Sequence, residues 1–103
     1  TEMGRRRTTL AVGVAYGTDL AMAREKLLEA VRGVDIVRGE PEPEVLVVGF
    51  GDSSIDLVAR FWHEPTIAAH WKAQNDVALA IDRACREHEI EIPFPQRVVW
   101  SAE

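Results

Sequence analysis

Residues 45–62 run Val-Leu-Val-Val-Gly-Phe, then Gly-Asp-Ser, then Ser-Ile-Asp-Leu-Val-Ala-Arg-Phe-Trp. The first six are an apolar run rich in β-branched residues. The last nine alternate, with Ile55, Leu57, Ala59 and Phe61 on one side and Ser54, Asp56, Val58, Arg60 and Trp62 on the other. A period of two belongs to a strand, because successive side chains leave opposite faces of the pleat. Between the runs, Gly51-Asp52-Ser53 supplies turn chemistry: glycine accepts backbone angles other residues avoid, and Asp and Ser side chains bond to nearby amides. The segment predicts a β-hairpin with one buried and one wetter face.

On the N-terminal side, residues 8–16 also alternate, with Leu10, Val12, Val14 and Tyr16 opposite Thr9, Ala11, Gly13 and Ala15, so a strand is expected there. Gly17 breaks it, and Thr18 or Asp19 can cap the helix that follows. Leu20, Ala23, Leu27, Ala30 and Val31 keep helical spacing, Arg24, Glu25 and Glu29 turn outward, and Gly33 ends the segment. Glu40-Pro41-Glu42-Pro43-Glu44 reads as a stiff acidic connector, since each proline fixes its own φ and pushes its predecessor toward extended geometry.

On the C-terminal side, Pro65 suits a first helical turn. Ile67, Trp71, Val77, Ala78, Ile81, Ala84 and Cys85 then form an apolar stripe opposite Lys72, Asp76, Asp82, Arg83 and Glu87. That pattern predicts a second helix of about six turns. After Ile90-Glu91-Ile92, Pro93-Phe94-Pro95 interrupts regular pairing and Gln96 to Trp100 can form a last short strand. The predicted order is β-α-β-β-α-β, the split βαβ or ferredoxin-like arrangement of the α+β class: a four-stranded antiparallel sheet with both helices on one face. Ser54, Asp56, Arg60 and Trp62 face away from the helices and can serve as a contact surface in an oligomer.

The chain has 103 residues, 47% hydrophobic and 28% charged, which suits one globular domain and excludes a disordered or collagen-like chain. A net charge of −5 makes nucleic acid a poor partner, because phosphate binding relies on clustered cations. Arg5-Arg6-Arg7 is the only basic run and reads as a solvated arm, with anionic lipid headgroups as the functional alternative. A single cysteine, Cys85, fits a reducing compartment and by default the cytosol. No stretch is apolar and long enough to span a bilayer, and no signal-peptide core is present. The opening Thr1-Glu2-Met3-Gly4, with Met third, suggests a fragment boundary.

No chemistry converges in the sequence. Gly13 and Gly17, or Gly49 and Gly51, do not make a phosphate loop, which needs its glycines in a strand-to-helix turn followed by further signature residues. His63, His70 and His88 lack the i, i+4 spacing of helical metal ligands and read as solvated or core-edge residues. Cys85 sits on the apolar stripe as a small hydrophobe. Asp52, Ser53, Ser54 and Asp56 are split between a turn and a strand face, with no His placed to activate a serine. Glu87, Glu89 and Glu91 straddle a helix junction and are assigned to solvation. No catalytic residue, cofactor or metal is expected.

Three segments carry a resemblance: Val12-Gly13-Val14-Ala15-Tyr16-Gly17-Thr18-Asp19, Gly51-Asp52-Ser53-Ser54-Ile55-Asp56-Leu57 and Ile90-Glu91-Ile92-Pro93-Phe94-Pro95-Gln96. In this order they resemble the C-terminal cytoplasmic domain of small-conductance mechanosensitive (MscS-type) ion channels, over residues 8 to about 100. The resemblance implies a ferredoxin-like domain at residues 8–92, after an N-terminal arm or fragment boundary at 1–7 and before a C-terminal segment at 93–103. It also implies a homoheptameric, multi-pass channel whose domain lies on the cytoplasmic side of the inner membrane. Such a channel opens on membrane tension in hypoosmotic shock, and this domain would contribute to assembly and side portals. Carried across, Gln96, Arg97, Val98, Val99 and Trp100 would form an oligomerisation strand in a small barrel, with Phe94 and Pro95 setting its start. The family commonly has Gly where this chain has Glu89, and a left-handed cap there would cost Glu89 roughly 1 kcal/mol. The rival expectation is a stand-alone ferredoxin-like regulatory module that binds a small ligand at a dimer interface.

Overall fold

Strand β3 (Ile55–His63) lies between β1 (Arg6–Val14) and β2 (Glu44–Phe50) in an antiparallel sheet of order β1-β3-β2. This computed structural model describes residues 4–93. Helix α1 (Leu20–Arg32) follows β1, and α2 (Ile67–Glu87) follows β3. The architecture is the expected α+β arrangement. The expected fourth strand, Gln96 to Trp100, lies outside the described residues.

Alternation along β3 decides which face is covered. Ile55, Leu57, Ala59, Phe61 and His63 are all buried, while Asp56, Val58, Arg60 and Trp62 point the other way and are partly or fully exposed. β1 meets β3 in unbroken register from Arg6↔His63 to Val14↔Ile55. Val12 and Val14 therefore join the buried row, as does Val45 opposite Ala59 on β2. Against this face α1 buries Ala23, Leu27 and Val31, and α2 buries Ala73, Val77, Ala80, Ile81, Ala84 and Cys85. On the open face Arg60 and Glu44 are register partners and form an ion pair at 3.7 Å.

Three local features differ from the sequence reading, and Pro65, expected in the first turn of the second helix, instead precedes its cap residue Thr66. β1 occupies Arg6–Val14 rather than residues 8–16, because Arg6 and Arg7 pair with His63 and Trp62. Tyr16 therefore lies beyond the strand and is half exposed instead of joining the inward row. Between α1 and β2 the chain makes a 3₁₀ turn, Asp35–Val37, too short to show periodicity, and it buries Val37 completely. Gly33 does end α1, but in right-handed geometry (φ −79°), so the chain runs on into that turn.

Side-chain caps hold the helix starts. Asp19 Oδ1 accepts from Met22 N–H at 3.2 Å, and Thr66 Oγ1 accepts from Ala69 N–H at 3.1 Å. At the end of α2, Ile90 N–H reaches back to Cys85 C=O at 2.8 Å, with Glu89 in the left-handed region at φ 56°. This is a Schellman ending, and Ile90 and Cys85 are both buried in the hydrophobic core. Glu89 tolerates the left-handed position because the two buried side chains and the returning hydrogen bond fix the turn.

Two substitutions test this account by urea denaturation. Phe61→Ala, at a fully buried position, should lower stability by about 3–5 kcal/mol. Glu89→Gly should raise it by about 1 kcal/mol through relief of the left-handed strain.

Candidate functional site

Phe94, Pro95, Gln96, Arg97, Val98, Val99 and Trp100, the expected oligomerisation residues, lie outside the described residues. The structure describes the chain up to Pro93. The Schellman turn swings the chain off α2, buried Ile90 anchors it, and Ala15 N–H donates to Glu91 C=O at 2.9 Å. Glu91 therefore lies beside the end of β1, at the hairpin end of the sheet, and Ile92 lines a groove beside that strand.

That end carries exposed apolar side chains: Phe50 is 69% exposed, Val48 55%, Tyr16 52% and Ile92 48%. Val48 is the residue skipped where the β2–β3 register shifts between Val47 and Gly49. The Tyr16 hydroxyl donates to Gly51 C=O and ties the β1–α1 loop to the hairpin turn. Gly17, at φ 94°, allows that loop to double back. In the hairpin, Gly51 N–H donates to Ser54 C=O at 2.7 Å and Ser54 Oγ donates to Asp56 Oδ1 at 3.1 Å, which is the turn chemistry expected of these residues. Between β1 and α2 an apolar groove of about 240 Å³ is lined by Leu10, Val12, Ala78, Ile81 and Ile92, with Asp82 among its polar borders.

At the opposite end of β3 the structure unites two histidines that the sequence left apart. His63 is 2% exposed, and its Nδ1 lies 2.7 Å from Glu64 C=O, so that nitrogen carries the hydrogen. His63 Nε2 is then the acceptor for the Thr8 hydroxyl at 2.6 Å, and Thr8 Oγ1 in turn accepts from His70 Nδ1 at 3.1 Å. His70 also packs edge-on against Trp71 with ring centroids 4.7 Å apart. One continuous chain of hydrogen bonds thus ties β1, β3 and α2. Sequence spacing hid it because the bridging hydroxyl comes from β1. Within the chain Thr8 donates once and accepts once, and the far side of His63 meets a backbone carbonyl rather than a carboxylate, so the arrangement lacks the orienting acid of a nucleophile-activating triad. An open cleft of about 580 Å³ lies beside it, bordered by Arg6, Arg7, Ile67 and Trp71.

The three arginines divide by role. Arg5 is partly buried, and its guanidinium donates to Trp62 C=O at 2.9 Å, Glu40 C=O at 3.1 Å and Ile36 C=O at 3.5 Å. It clamps the loop after α1 to the end of β3, whereas Arg6 and Arg7 are exposed strand residues. Cys85 is 3% exposed, and burial, with a smaller contribution from the Asp82 charge, pushes its thiol above the ordinary value. Among the described residues no three His, Cys, Asp or Glu side chains converge on a metal position, and no helix is long and apolar enough to cross a membrane.

A family model described as "Mechanosensitive ion channel MscS, C-terminal" matches residues 8–92. The chain belongs to the MscS family. This MscS domain is 35% identical over 97 residues to an uncharacterised MscS family protein of Archaeoglobus fulgidus, covering 94% of this chain and 34% of that protein. It is 36% identical over 90 residues to the mechanosensitive channel MscK of Escherichia coli, covering 87% of this chain and 8% of MscK. Its fold matches a crystal structure of Helicobacter pylori MscS in the closed state with a TM-score of 0.79 at 19% identity, over 98% of this chain and 40% of that one. The chain thus spans about a third of one relative and less than a tenth of another. The family is one of mechanosensitive channels, not an enzyme class.

Two measurements probe the site. Thr8→Val keeps the side-chain shape but leaves His63 Nε2 without its donor, and should lower stability by about 1–3 kcal/mol in chemical denaturation. At about pH 8, where an ordinary thiol is partly ionised, native Cys85 should react with a disulfide reagent far more slowly than the denatured chain does. The raised folded value keeps it protonated.

Proposed function

We propose that this domain forms part of the cytoplasmic vestibule of a mechanosensitive channel that opens on membrane tension during hypoosmotic shock. In that channel it borders the side portals and helps hold the subunits together. The observation that carries the reading is the family match along residues 8–92, supported by a fold likeness covering 98% of the chain. The domain acts by assembly and shape, without catalysis, as one of seven copies on the cytoplasmic side of the inner membrane in a multi-pass protein.

Within this reading residues 8–92 are the body and 93–103 the assembly segment. Phe94 and Pro95 start the final strand, and Gln96, Arg97, Val98, Val99 and Trp100 pair with the same segment of neighbouring copies. A lone short strand exposes unpaired amides and carbonyls on both sides, and closing it into a ring of copies removes every edge. The buried anchor at Ile90 supports the role, since a strand is best presented to its neighbours from a fixed point.

The test uses the full-length channel, intact and lacking residues 94–103. Light scattering in detergent should show the intact channel as a homoheptamer and the truncated one as smaller species; equal heptamer stability would remove the assembly role from the tail. Expressed in a bacterial host without mechanosensitive channels of its own, the intact channel should restore survival of hypoosmotic shock. Absence of rescue at normal membrane levels would overturn the channel reading.

A further inference from the structure

The cleft of about 580 Å³ beside the Thr8–His63–His70 chain runs against the charge of the protein as a whole. The sequence carries a net charge of −5, yet Arg6 and Arg7 both border this cleft and, among the described residues, no Asp or Glu lines it. Glu64 follows His63 directly but is exposed and stands outside the lining. The start of α2, with no acidic residue in its first turn, adds partial charge of the same positive sign. Two guanidiniums in a cleft free of carboxylates recognise an anion, and phosphate or carboxylate oxygens match their paired N–H groups.

The helix side of the cleft is apolar. Ile67 is 79% exposed and Trp71 59%, although α2 buries its other face in the core. His70 packs edge-on against Trp71 with centroids 4.7 Å apart, so the indole is a fixed planar surface beside the arginines. The Thr8 hydrogen bonds to both histidines tie β1 and β3 to α2, which sets the spacing of the two walls in advance of binding. The volume falls within the range of about 300–1,000 Å³ that small-molecule sites occupy. We propose that this cleft binds a small aromatic anion, its phosphate or carboxylate held by Arg6 and Arg7 and its ring laid against Trp71 and Ile67. A flat bilayer would meet the rim without filling the cleft, whereas a planar ring bearing an anionic group uses both the charge and the apolar wall. The site needs only the fold of this domain, so it stands or falls apart from the channel reading.

The experiment is a calorimetric titration of the 103-residue chain with naphthyl phosphate, and separately with naphthol and with inorganic phosphate. Naphthyl phosphate should bind with a Kd of about 1 mM or tighter, and each half alone about tenfold more weakly or less. Arg6→Gln and Arg7→Gln should each weaken binding by about tenfold, the loss of one charge-assisted hydrogen bond, and Trp71→Ala by about two- to tenfold. All three positions are exposed, so the variants should keep the urea midpoint of the parent. Arg86→Gln, the same change of charge at the far end of α2, should leave binding as it was. No binding by the parent, inorganic phosphate binding as tightly as naphthyl phosphate, or equal weakening by Arg86→Gln would overturn the proposal. Sedimentation with phosphatidylglycerol vesicles separates the membrane alternative: retention that Arg6→Gln abolishes, in a chain that does not bind naphthyl phosphate, would give this surface to a bilayer and overturn the small-molecule site.

Discussion

The side chains of Ile55, Leu57, Ala59, Phe61 and His63 form one buried row under both helices, and every other element takes its place from that row. β1 and β2 adopt the register that adds Val12, Val14 and Val45 to it. The helices bring small and medium residues, Ala23, Ala73, Ala80 and Ala84 among Leu27, Val31 and Val77, which lets them sit close on the strand. A slip of one residue would turn Asp56, Arg60 and Trp62 into the core and Phe61 out of it, so the alternation of this strand fixes the sheet as a whole.

The two ends of that row differ in chemistry. At the end where the chain arrives, His63 continues the apolar row with a polar ring whose nitrogens are both engaged, and the Arg5 guanidinium gathers three backbone carbonyls. That end is tied by polar contacts within the fold, although the buried Arg5 Nε itself has no partner among the described residues. At the hairpin end the side chains are large, apolar and exposed, with Phe50, Val48 and Tyr16 around the point from which the tail departs. This MscS-family domain is thus closed by polar contacts at one end of β3 and exposes large apolar side chains at the other.

One local preference is broken at the end of α2. Glu89 holds a left-handed angle that glycine would occupy without strain, because the Ile90–Cys85 return bond and the burial of Ile90 require the turn. A departure from local preference in an otherwise consistent chain is held in place by the tertiary packing around it.

Most of the fold was legible in the sequence because periodicity is local. The alternation of residues 55–62, the stripes of both helices, the cap at Asp19 and the turn at Gly51 need only neighbours a few positions away. The same locality limited the reading. β1 begins two residues earlier than its pattern because its partner strand extends to His63, and the turn at Asp35–Val37 is too short to display a period. The motifs at Val12–Asp19, Gly51–Leu57 and Ile90–Gln96 carried the family from sequence alone. Only the tertiary structure decided that Thr8 joins His63 and His70 across 55 and 62 residues, and that Arg5 reaches Ile36 and Trp62 across 31 and 57. Such contacts depend on strand register and on how a helix lies across a sheet, and no pattern of neighbouring residues encodes either.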